Sequence, residues 1–196
     1  LVIKYDQWKK GVQAYLASIS FVDTYVGELL DGLDKSKYAD NTIIVLWGDH
    51  GWHLGEKQHW RKQALWEDTT HVPFIVSYPK TIAENSICEY PVSFIDIFPT
   101  LIDLAGIPKK EDLDGKSLKE LLINPSMKWN RPVLSTYGKG NHAVRSGKWR
   151  YIEYRDGSSE LYDHQNDPNE WYNLSGKESF EKVVQNLKKI IPSTEK

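Results

Sequence analysis

The segment Gly48–Gln63, with the sequence GDHGWHLGEKQHWRKQ, carries the densest set of chemically active side chains in this 196-residue chain. It contains three of the six histidines, two tryptophans, three cations and two carboxylates. Asp49 and His50 can offer an oxygen and a nitrogen to a divalent cation, but calcium takes roughly six to eight ligands and zinc about four. The pair therefore predicts part of a metal site, and a turn with a hydrogen-bonded histidine is the competing interpretation.

The other polar and aromatic residues in and just after this segment allow more than one role. Lys62 can place a point charge beside a sulfate or phosphate group, whereas Lys57 and Arg61 are expected to be solvated surface charges. Five further side chains stay open between a functional role and packing: Trp52, His53, His59, Trp60 and His71. The segment alone thus indicates an anion or metal site and does not select a reaction.

The element before the segment predicts its place in the fold. The continuous apolar run Thr42–Trp47 is typical of a buried strand in a parallel or mixed sheet, and Gly48 ends it. Asp49 and His50 therefore follow the carboxyl end of a strand. Ligands bind at this position in open α/β sheets, so the location favours the functional interpretation.

The rest of the chain predicts an α/β layer followed by an antiparallel sheet. Hydrophobic periodicity and stop signals predict three helices and a second buried strand in the first part, at Tyr15–Leu33, Phe94–Leu104, Ser117–Leu122 and Pro73–Tyr78. Hairpin signals predict short strands later, at Val133–Tyr137, His142–Arg145, Lys148–Tyr154 and Glu160–Tyr162. A last amphipathic helix, Lys177–Ile191, is expected to cap the antiparallel sheet.

Composition and charge exclude several classes of protein. Hydrophobic residues make up 40% and charged residues 27% of the chain, as in globular domains. The net charge of −2 provides no basic face for nucleic acid. The single cysteine, Cys88, excludes an internal disulfide and a cysteine-based zinc site. No apolar run approaches the ~20 residues of a membrane span, so none is expected.

Several motifs in the same order resemble the type I sulfatases of the alkaline phosphatase superfamily, most closely iduronate-2-sulfatase and its bacterial relatives. The resemblance covers nearly the whole chain and rests on Ser20–Lys62, His71–Pro79, Ser93–Ile107, Asp114–Leu118 and Ala143–Leu174. The most specific part is the tail motif Glu160-Leu161-Tyr162-Asp163 with Asp167-Pro168, Glu170 and Asn173-Leu174.

This resemblance implies roles for four residues and an architecture for the chain. Asp49 and His50 would be calcium ligands, Lys62 would be a catalytic residue that contacts the sulfate, and Trp52 would lie near the substrate. Residues 1–125 would form the C-terminal part of an alkaline-phosphatase-like α/β/α sulfatase domain. Residues 126–196 would form a subdomain of antiparallel strands with a packed terminal helix.

The sulfatase nucleophile is a formylglycine made from the Cys or Ser of a Cys/Ser-x-Pro/Ala-x-Arg motif, and this chain contains no such motif. We therefore expect the formylglycine, an Asp-Asp calcium pair and an export signal in an N-terminal half that precedes Leu1. That half would be a partner without which the chain is inactive. The complete protein would be periplasmic or secreted, or lysosomal in an animal.

The expected activity is calcium-dependent hydrolysis of sulfate esters, with 2-O-sulfated uronic acid of glycosaminoglycan-like saccharides as the substrate. Two alternatives remain open. One is an enzyme of the same fold that acts on choline sulfate or a phosphonate monoester. The other is a lone module without turnover.

Overall fold

A computed structural model describes residues 2–193, and its first part is a long helix followed by short strands and turns. The elements up to residue 77 are α1 (Trp8–Asp34), β1 (Ile44–Trp47), β2 (His53–Leu54), β3 (Trp60–Arg61), α2 (Glu67–Thr70) and β4 (Phe74–Ser77). Short 3₁₀ turns lie at Ala39–Asn41 and Glu56–Gln58. The predicted helix Tyr15–Leu33 falls wholly inside α1 and is confirmed.

Helix α1 carries the expected apolar residues, yet none of its 27 residues is buried. Its first turns pack on the following segment, where Trp8 contacts Trp60 edge to face with ring centroids 5.5 Å apart. Farther along the helix, Phe21 and Leu29 are 63% and 74% exposed. Within residues 2–193, this apolar stripe therefore lies open to solvent.

Strands β1 and β4 form an antiparallel pair in which Ile44 lies opposite Ser77 and Trp47 opposite Phe74. Both strands were predicted, but the expectation of burial in a parallel or mixed sheet is wrong for the chain as it stands. Trp47 is 48% exposed. The apolar pattern indicates a face that another layer can cover, and the described residues do not supply that layer.

A 3₁₀ turn at Phe94–Asp96 leads into helix α3 (Ile97–Leu104), and helix α4 (Lys119–Ile123) follows. Both lie where helices were predicted. The buried carboxylate of Asp96 holds this region together, because it accepts hydrogen bonds from the N–H groups of Ser93 and Lys116 at 3.1 and 2.9 Å. Arg131 compensates its charge at 2.6 Å.

The C-terminal part is a four-stranded antiparallel meander in the order β5-β6-β7-β8, followed by helix α5. The elements are β5 (Val133–Thr136), β6 (His142–Ser146), β7 (Trp149–Glu153), β8 (Ser159–Asp163), a 3₁₀ turn at Glu178–Phe180 and α5 (Glu181–Lys188). All four predicted strands are confirmed. The last helix is confirmed as well, although its regular α part ends three residues earlier than predicted.

The sheet alternates its side chains between two covered faces, as a pleated strand requires. One face contributes Val144, Tyr151 and Leu161, which pack against Leu187 of α5. The opposite face packs on the chain between the segment Gly48–Gln63 and α2; its buried cluster consists of Ala143, Ile152, Tyr162 and Leu65. The sheet therefore links α5 to the segment that precedes α2. Among residues 2–193, no helix is both long and apolar enough to cross a membrane.

Candidate active site

The turn that carries Asp49 and His50 begins at the carboxyl end of β1, as predicted. Gly48 ends the strand, and its N–H donates to the carbonyl oxygen of Pro73 at 3.0 Å. This bond ties the turn to the start of β4. The Asp49 side chain is 84% exposed and the His50 side chain 28%, so both remain accessible to an ion or a substrate.

The same turn packs tightly on helix α2. Gly51 N–H donates to the carbonyl oxygen of Thr69 at 2.7 Å. A Cβ at Gly51 would lie 1.9 Å from the carbonyl oxygen of Asp68, a distance that no side chain tolerates. Glycine is therefore required here so that the turn can approach the helix backbone.

The hydrogen bonds of His50 select one tautomer of its ring. Its Nδ1 lies 2.9 Å from the carbonyl oxygen of Gly51, which can only accept, so Nδ1 carries the proton. Nε2 then presents a lone pair, to which Lys62 Nζ donates at 2.8 Å. The Asp49 carboxylate lies 3.3 Å from the same Nε2. The structure thus brings Asp49, His50 and Lys62 together.

These atoms fit one side of a divalent cation site. An unprotonated imidazole nitrogen and an accessible carboxylate are both suitable ligands, and a backbone carbonyl orients the ring in the manner common for metal-binding histidines. Within residues 2–193, Asp49 and His50 do not belong to any group of three ligand-bearing side chains. A calcium ion held here would therefore need further oxygen ligands beyond these two side chains, such as backbone carbonyls, water or carboxylates from outside the described residues.

The tryptophans divide between two roles. The ring of Trp52 is stacked beside His50 and beside Tyr15 of α1, with centroid distances of 6.3 and 6.1 Å. Trp60 instead packs against Trp8 under the start of α1. Trp52 therefore contributes an aromatic surface next to the candidate ligands, and Trp60 has a packing role.

The two nearby histidines form part of the interior below the turn. His53 is fully buried, with Nδ1 3.0 Å from the Thr69 hydroxyl. Its ring lies 5.0 Å from that of His59, and His59 also packs edge to face on Trp66. Burial lowers the pKa of His53, although the nearby Asp68 carboxylate opposes this. These contacts favour a packing role for both histidines.

The two cations that were expected to be solvated, Lys57 and Arg61, lie in different environments. Arg61 is exposed as predicted, and the His71 side chain is 77% exposed. The prediction for Lys57 is wrong, because its ammonium lies over aromatic rings and donates to the Tyr162 hydroxyl at 3.3 Å. It also donates to the carbonyl oxygen of Glu170. The C-terminal tail folds back over Lys57, which a local charge pattern could not indicate.

A second cluster of charged residues, which the sequence analysis missed, lies between the site segment and the C-terminal sheet. Glu67, His164 and Glu170 point ligand-type atoms at one another within 4.8 Å. The Arg150 guanidinium lies among them, with Nε 2.6 Å from the Glu170 carboxylate and another nitrogen bonded to Glu67. Because Arg150 already supplies the positive charge, this cluster is a buried ion network and not a second metal centre.

Electrostatics in the network favour ionised Glu67. Burial by itself raises the pKa of this carboxyl group, but Arg150, His164 and Arg145 outweigh burial and lower the pKa below its ordinary value. One signal in the sequence was available. Arg150 interrupts the apolar strand Trp149–Glu153, and a charge in such a strand is rarely buried without a partner.

Comparisons with known proteins identify the family of the chain. A family model described as Sulfatase matches residues 3–107, which is more than half of the chain. The chain belongs to the sulfatase family. This sulfatase chain is 42% identical over 192 residues to a protein named Sulfatase from Formosa agariphila. The alignment covers 98% of this chain and 38% of that protein.

Solved structures match the fold as well. One, in complex with its substrate D-glucosamine-2-N,6-O-disulfate, has a TM-score of 0.82 at 31% identity and covers 90% of this chain and 38% of its own. Another, a 2-O GAG sulfatase, has a TM-score of 0.77 at 27% identity, with coverages of 86% and 39%. The expected α/β sulfatase fold and family are confirmed, and the chain spans well under half of each relative.

Proposed function

We propose that this chain forms the C-terminal part of a calcium-dependent sulfatase that hydrolyses sulfate esters of saccharides. The observation that carries the proposal is the convergence of Asp49, His50 and Lys62 at the carboxyl end of β1. The Nε2 lone pair of His50 lies 3.3 Å from the Asp49 carboxylate and 2.8 Å from the Lys62 ammonium. Two ligand atoms suited to a cation and an ammonium group suited to an anion thus lie together at the accessible end of this strand.

Each residue has a distinct chemical task in this proposal. Asp49 and His50 would hold calcium: the tautomer set by the Gly51 carbonyl leaves a lone pair on Nε2 of His50, which would exchange the Lys62 ammonium for the ion. A bound calcium ion would supply positive charge beside the sulfuryl oxygens. The flexible ammonium of Lys62 adds a second positive charge beside the same oxygens, where charge develops as the ester bond breaks. The nucleophile, a formylglycine, is assigned to the N-terminal half of the complete protein.

The proposed substrate is a 2-O-sulfated uronic acid in a glycosaminoglycan-like saccharide. Trp52 supports a sugar, because its part-buried ring lies beside the candidate ligands and is braced by Tyr15, and a flat aromatic surface suits the apolar face of a pyranose. The two solved relatives support a saccharide too, since one binds a sulfated glucosamine and the other is a 2-O GAG sulfatase. The uronic acid itself rests on the resemblance to iduronate-2-sulfatase.

The proposed partner is the N-terminal half of the same protein. The open stripe of α1 and the exposed strand β1 provide apolar surface that a further layer would bury. The short span of this chain along its relatives agrees with such a layer. A periplasmic, secreted or lysosomal location is part of the same proposal and follows from the sulfatase family.

The first test is to identify the polypeptide that carries this chain, by denaturing gel and intact mass of native material. A polypeptide or partner with the Cys/Ser-x-Pro/Ala-x-Arg segment is expected. A single species of 22.7 kDa without turnover would instead support the lone module.

The second test is a substrate panel assayed with calcium and after chelation. We expect hydrolysis of a 2-O-sulfated uronate disaccharide that is lost on chelation and restored by calcium. If only 6-O-sulfated glucosamine is hydrolysed, the proposed substrate is wrong, and the proposed reaction, hydrolysis of a saccharide sulfate ester, is retained. Turnover of choline sulfate or a phosphonate monoester alone would overturn the saccharide proposal, and turnover unaffected by chelation would overturn the metal.

A further inference from the structure

We infer that Arg150 and Lys57, neither of which touches the candidate ligands, are positioning residues for the active site. Through them the C-terminal sheet holds helix α2 and the segment before it, and these in turn place the Asp49–His50 turn and Lys62. The inference rests on the proposed function, because it names what aligns the same site.

Arg150 makes the connection from the sheet. It lies in β7, and its side chain is only 3% exposed. The side chain extends from the sheet toward Leu65 and Glu67, which follow the segment Gly48–Gln63. It donates to the carbonyl oxygen of Leu65 at 3.0 Å and pairs with the carboxylates of Glu67 and Glu170. One buried guanidinium therefore joins β7 to the chain on both sides of Trp66.

Glu170 completes the hold on the start of α2. Its side chain is 1% exposed, and Oε2 accepts the backbone N–H of Glu67 at 3.0 Å. Its other oxygen accepts a hydrogen bond from His164 Nε2 at 2.8 Å. The first residue of α2 is thus held by its backbone and by its side chain, from two different parts of the C-terminal region.

The far end of α2 contacts the ligand-bearing turn. The Thr69 carbonyl oxygen accepts Gly51 N–H at 2.7 Å, and Gly51 leaves no space between the turn and Asp68. Because α2 has only four residues, a displacement at Glu67 moves Thr69 as well. Since Gly51 also orients His50, the placement of His50 Nε2 depends on Arg150 through this short helix.

Lys57 provides an independent hold on the strand that leads to Lys62. Its Nζ lies 4.6, 5.0 and 5.9 Å from the ring centroids of Tyr162, Trp66 and Trp171. The contact is a cation–π cage closed by the C-terminal tail. Lys57 has a left-handed backbone with φ of 52°, so the loop bends at the residue that the cage holds.

The sheet has a separate basis for its own stability. The face that carries Val144, Tyr151 and Leu161 packs on α5 and contains neither Arg150 nor Lys57. Replacing Lys57 with methionine keeps an apolar chain of similar length among the same aromatic rings, and it removes the charge together with the hydrogen bonds to the Tyr162 hydroxyl and the Glu170 carbonyl. The Lys57→Met variant is therefore expected to fold and to separate positioning from folding.

The experiment compares Arg150→Met, Arg150→Lys and Lys57→Met with the wild type in the complete enzyme. Lys188→Met is the matched control, because Lys188 pairs with Glu153 of the same sheet at 2.7 Å on the α5 side. Three quantities are measured: calcium affinity by calorimetry, kcat and KM on the best sulfate ester, and hydrogen–deuterium exchange of residues 48–70 in metal-free protein.

We expect Arg150→Met and Lys57→Met each to weaken calcium binding or lower kcat by about 10-fold, the lower end for groups that orient a ligand. Exchange of residues 48–70 should accelerate in both, while β6–β8 stay protected. Arg150→Lys should recover part of the loss, since it keeps the charge but not the fork of hydrogen bonds. Lys188→Met should leave all three quantities unchanged.

Unchanged calcium affinity, kcat and exchange in Lys57→Met and in either folded Arg150 variant would overturn the inference. If Arg150→Met unfolds the sheet, the positioning role is tested by Lys57→Met and Arg150→Lys alone. A wild-type enzyme that hydrolyses no sulfate ester would refute the proposed function. Calcium affinity and hydrogen–deuterium exchange of residues 48–70 would still test the positioning role in that case.

Discussion

Helix α1 and the C-terminal sheet both have regular apolar patterns, but they lie in opposite environments. None of the residues of α1 is buried, whereas Val144, Ile152 and Leu161 of the sheet are each 0% exposed. The sheet has α5 on one face and Leu65 on the other. The difference shows that an apolar period marks a surface able to be covered, while the cover itself comes from other parts of the protein.

The candidate site lies at the boundary between these two regions. Its ligands follow β1, which belongs to the open region, while α2 and Lys57 attach it to the closed one. Chemistry and stability should therefore separate: substitutions at the turn should affect turnover, and substitutions of the apolar core residues of the sheet should affect unfolding. Three predictions test this separation.

The largest effect is expected from Asp49→Ala in the complete enzyme. Loss of a ligand carboxylate should lower kcat/KM by at least about 100-fold and weaken calcium binding, as expected for a group closer to the metal than those that only orient ligands. The exposed Asp49 makes few packing contacts, so the unfolding transition of the metal-free enzyme should hardly change. Kinetics, calcium titration and thermal melts measure the three quantities.

Asp40→Ala is the control for that variant, because Asp40 is an exposed carboxylate near the opposite end of β1 and pairs with Lys80 on the surface. Its kinetics should match the wild type. Full activity in Asp49→Ala would contradict the metal assignment, and a large loss of stability would contradict the separation of chemistry from stability.

The second prediction compares isoleucines in the two regions of this chain. Ile152→Ala removes a fully buried side chain and should lower the free energy of unfolding by about 2–5 kcal/mol. Ile19→Ala changes a residue of α1 that is 52% exposed and should change it by less than about 0.5 kcal/mol. Urea denaturation of the two variants and the wild type measures both values.

Repeating the comparison in the complete enzyme sharpens it. If the N-terminal half covers α1, the cost of Ile19→Ala should rise there, while the cost of Ile152→Ala stays the same. An equal and small cost of Ile19→Ala in both proteins would show that the stripe of α1 remains open, and would contradict the proposed partner.

The smallest effect concerns pH and the ion network at the boundary. The pKa of Glu67 is lowered in the folded state from an ordinary value of 4.5, so its ionised form stabilises the fold. That contribution is complete above about pH 4.5 and is lost as the pH falls through the lower folded pKa. Wild-type stability should therefore decline below pH 4.5 more steeply than that of Glu67→Gln.

Free energies of unfolding between pH 7 and pH 3 test this slope. Glu120→Gln serves as the control, because Glu120 is an exposed glutamate of α4 outside the network. Parallel curves for the wild type and Glu67→Gln would show that Glu67 carries no stabilising charge.

Much of the fold could be predicted because its signals are local. The period of α1, the apolar run of β1 and the Gly-containing turns of the meander each act within a few residues. Asp49, His50 and Lys62 could also be found, since one short segment and its position after a strand contain all three. Even the tautomer of His50 depends on the next residue, Gly51.

Arg150 and Lys57 could not be assigned in the same way. Arg150 meets Glu67 from 83 positions away along the chain, and Lys57 meets the Glu170 carbonyl from 113 positions away. The local charge pattern favours a solvated side chain at Lys57, and the strand around Arg150 indicates a partner without identifying it; burial becomes favourable only when distant partners compensate the desolvation of the charge.

The sequence by itself therefore predicted most of the strands and helices, although it missed β2, β3 and α2, and it supplied the residues proposed for a cation and a sulfate, because backbone preferences and ligand chemistry belong to individual residues and their neighbours. Only the tertiary structure decided which apolar faces are covered, which cations are buried, and how the C-terminal sheet holds the turn of Asp49 and His50. The physical reason is that burial and charge compensation depend on contacts between segments that are distant along the chain.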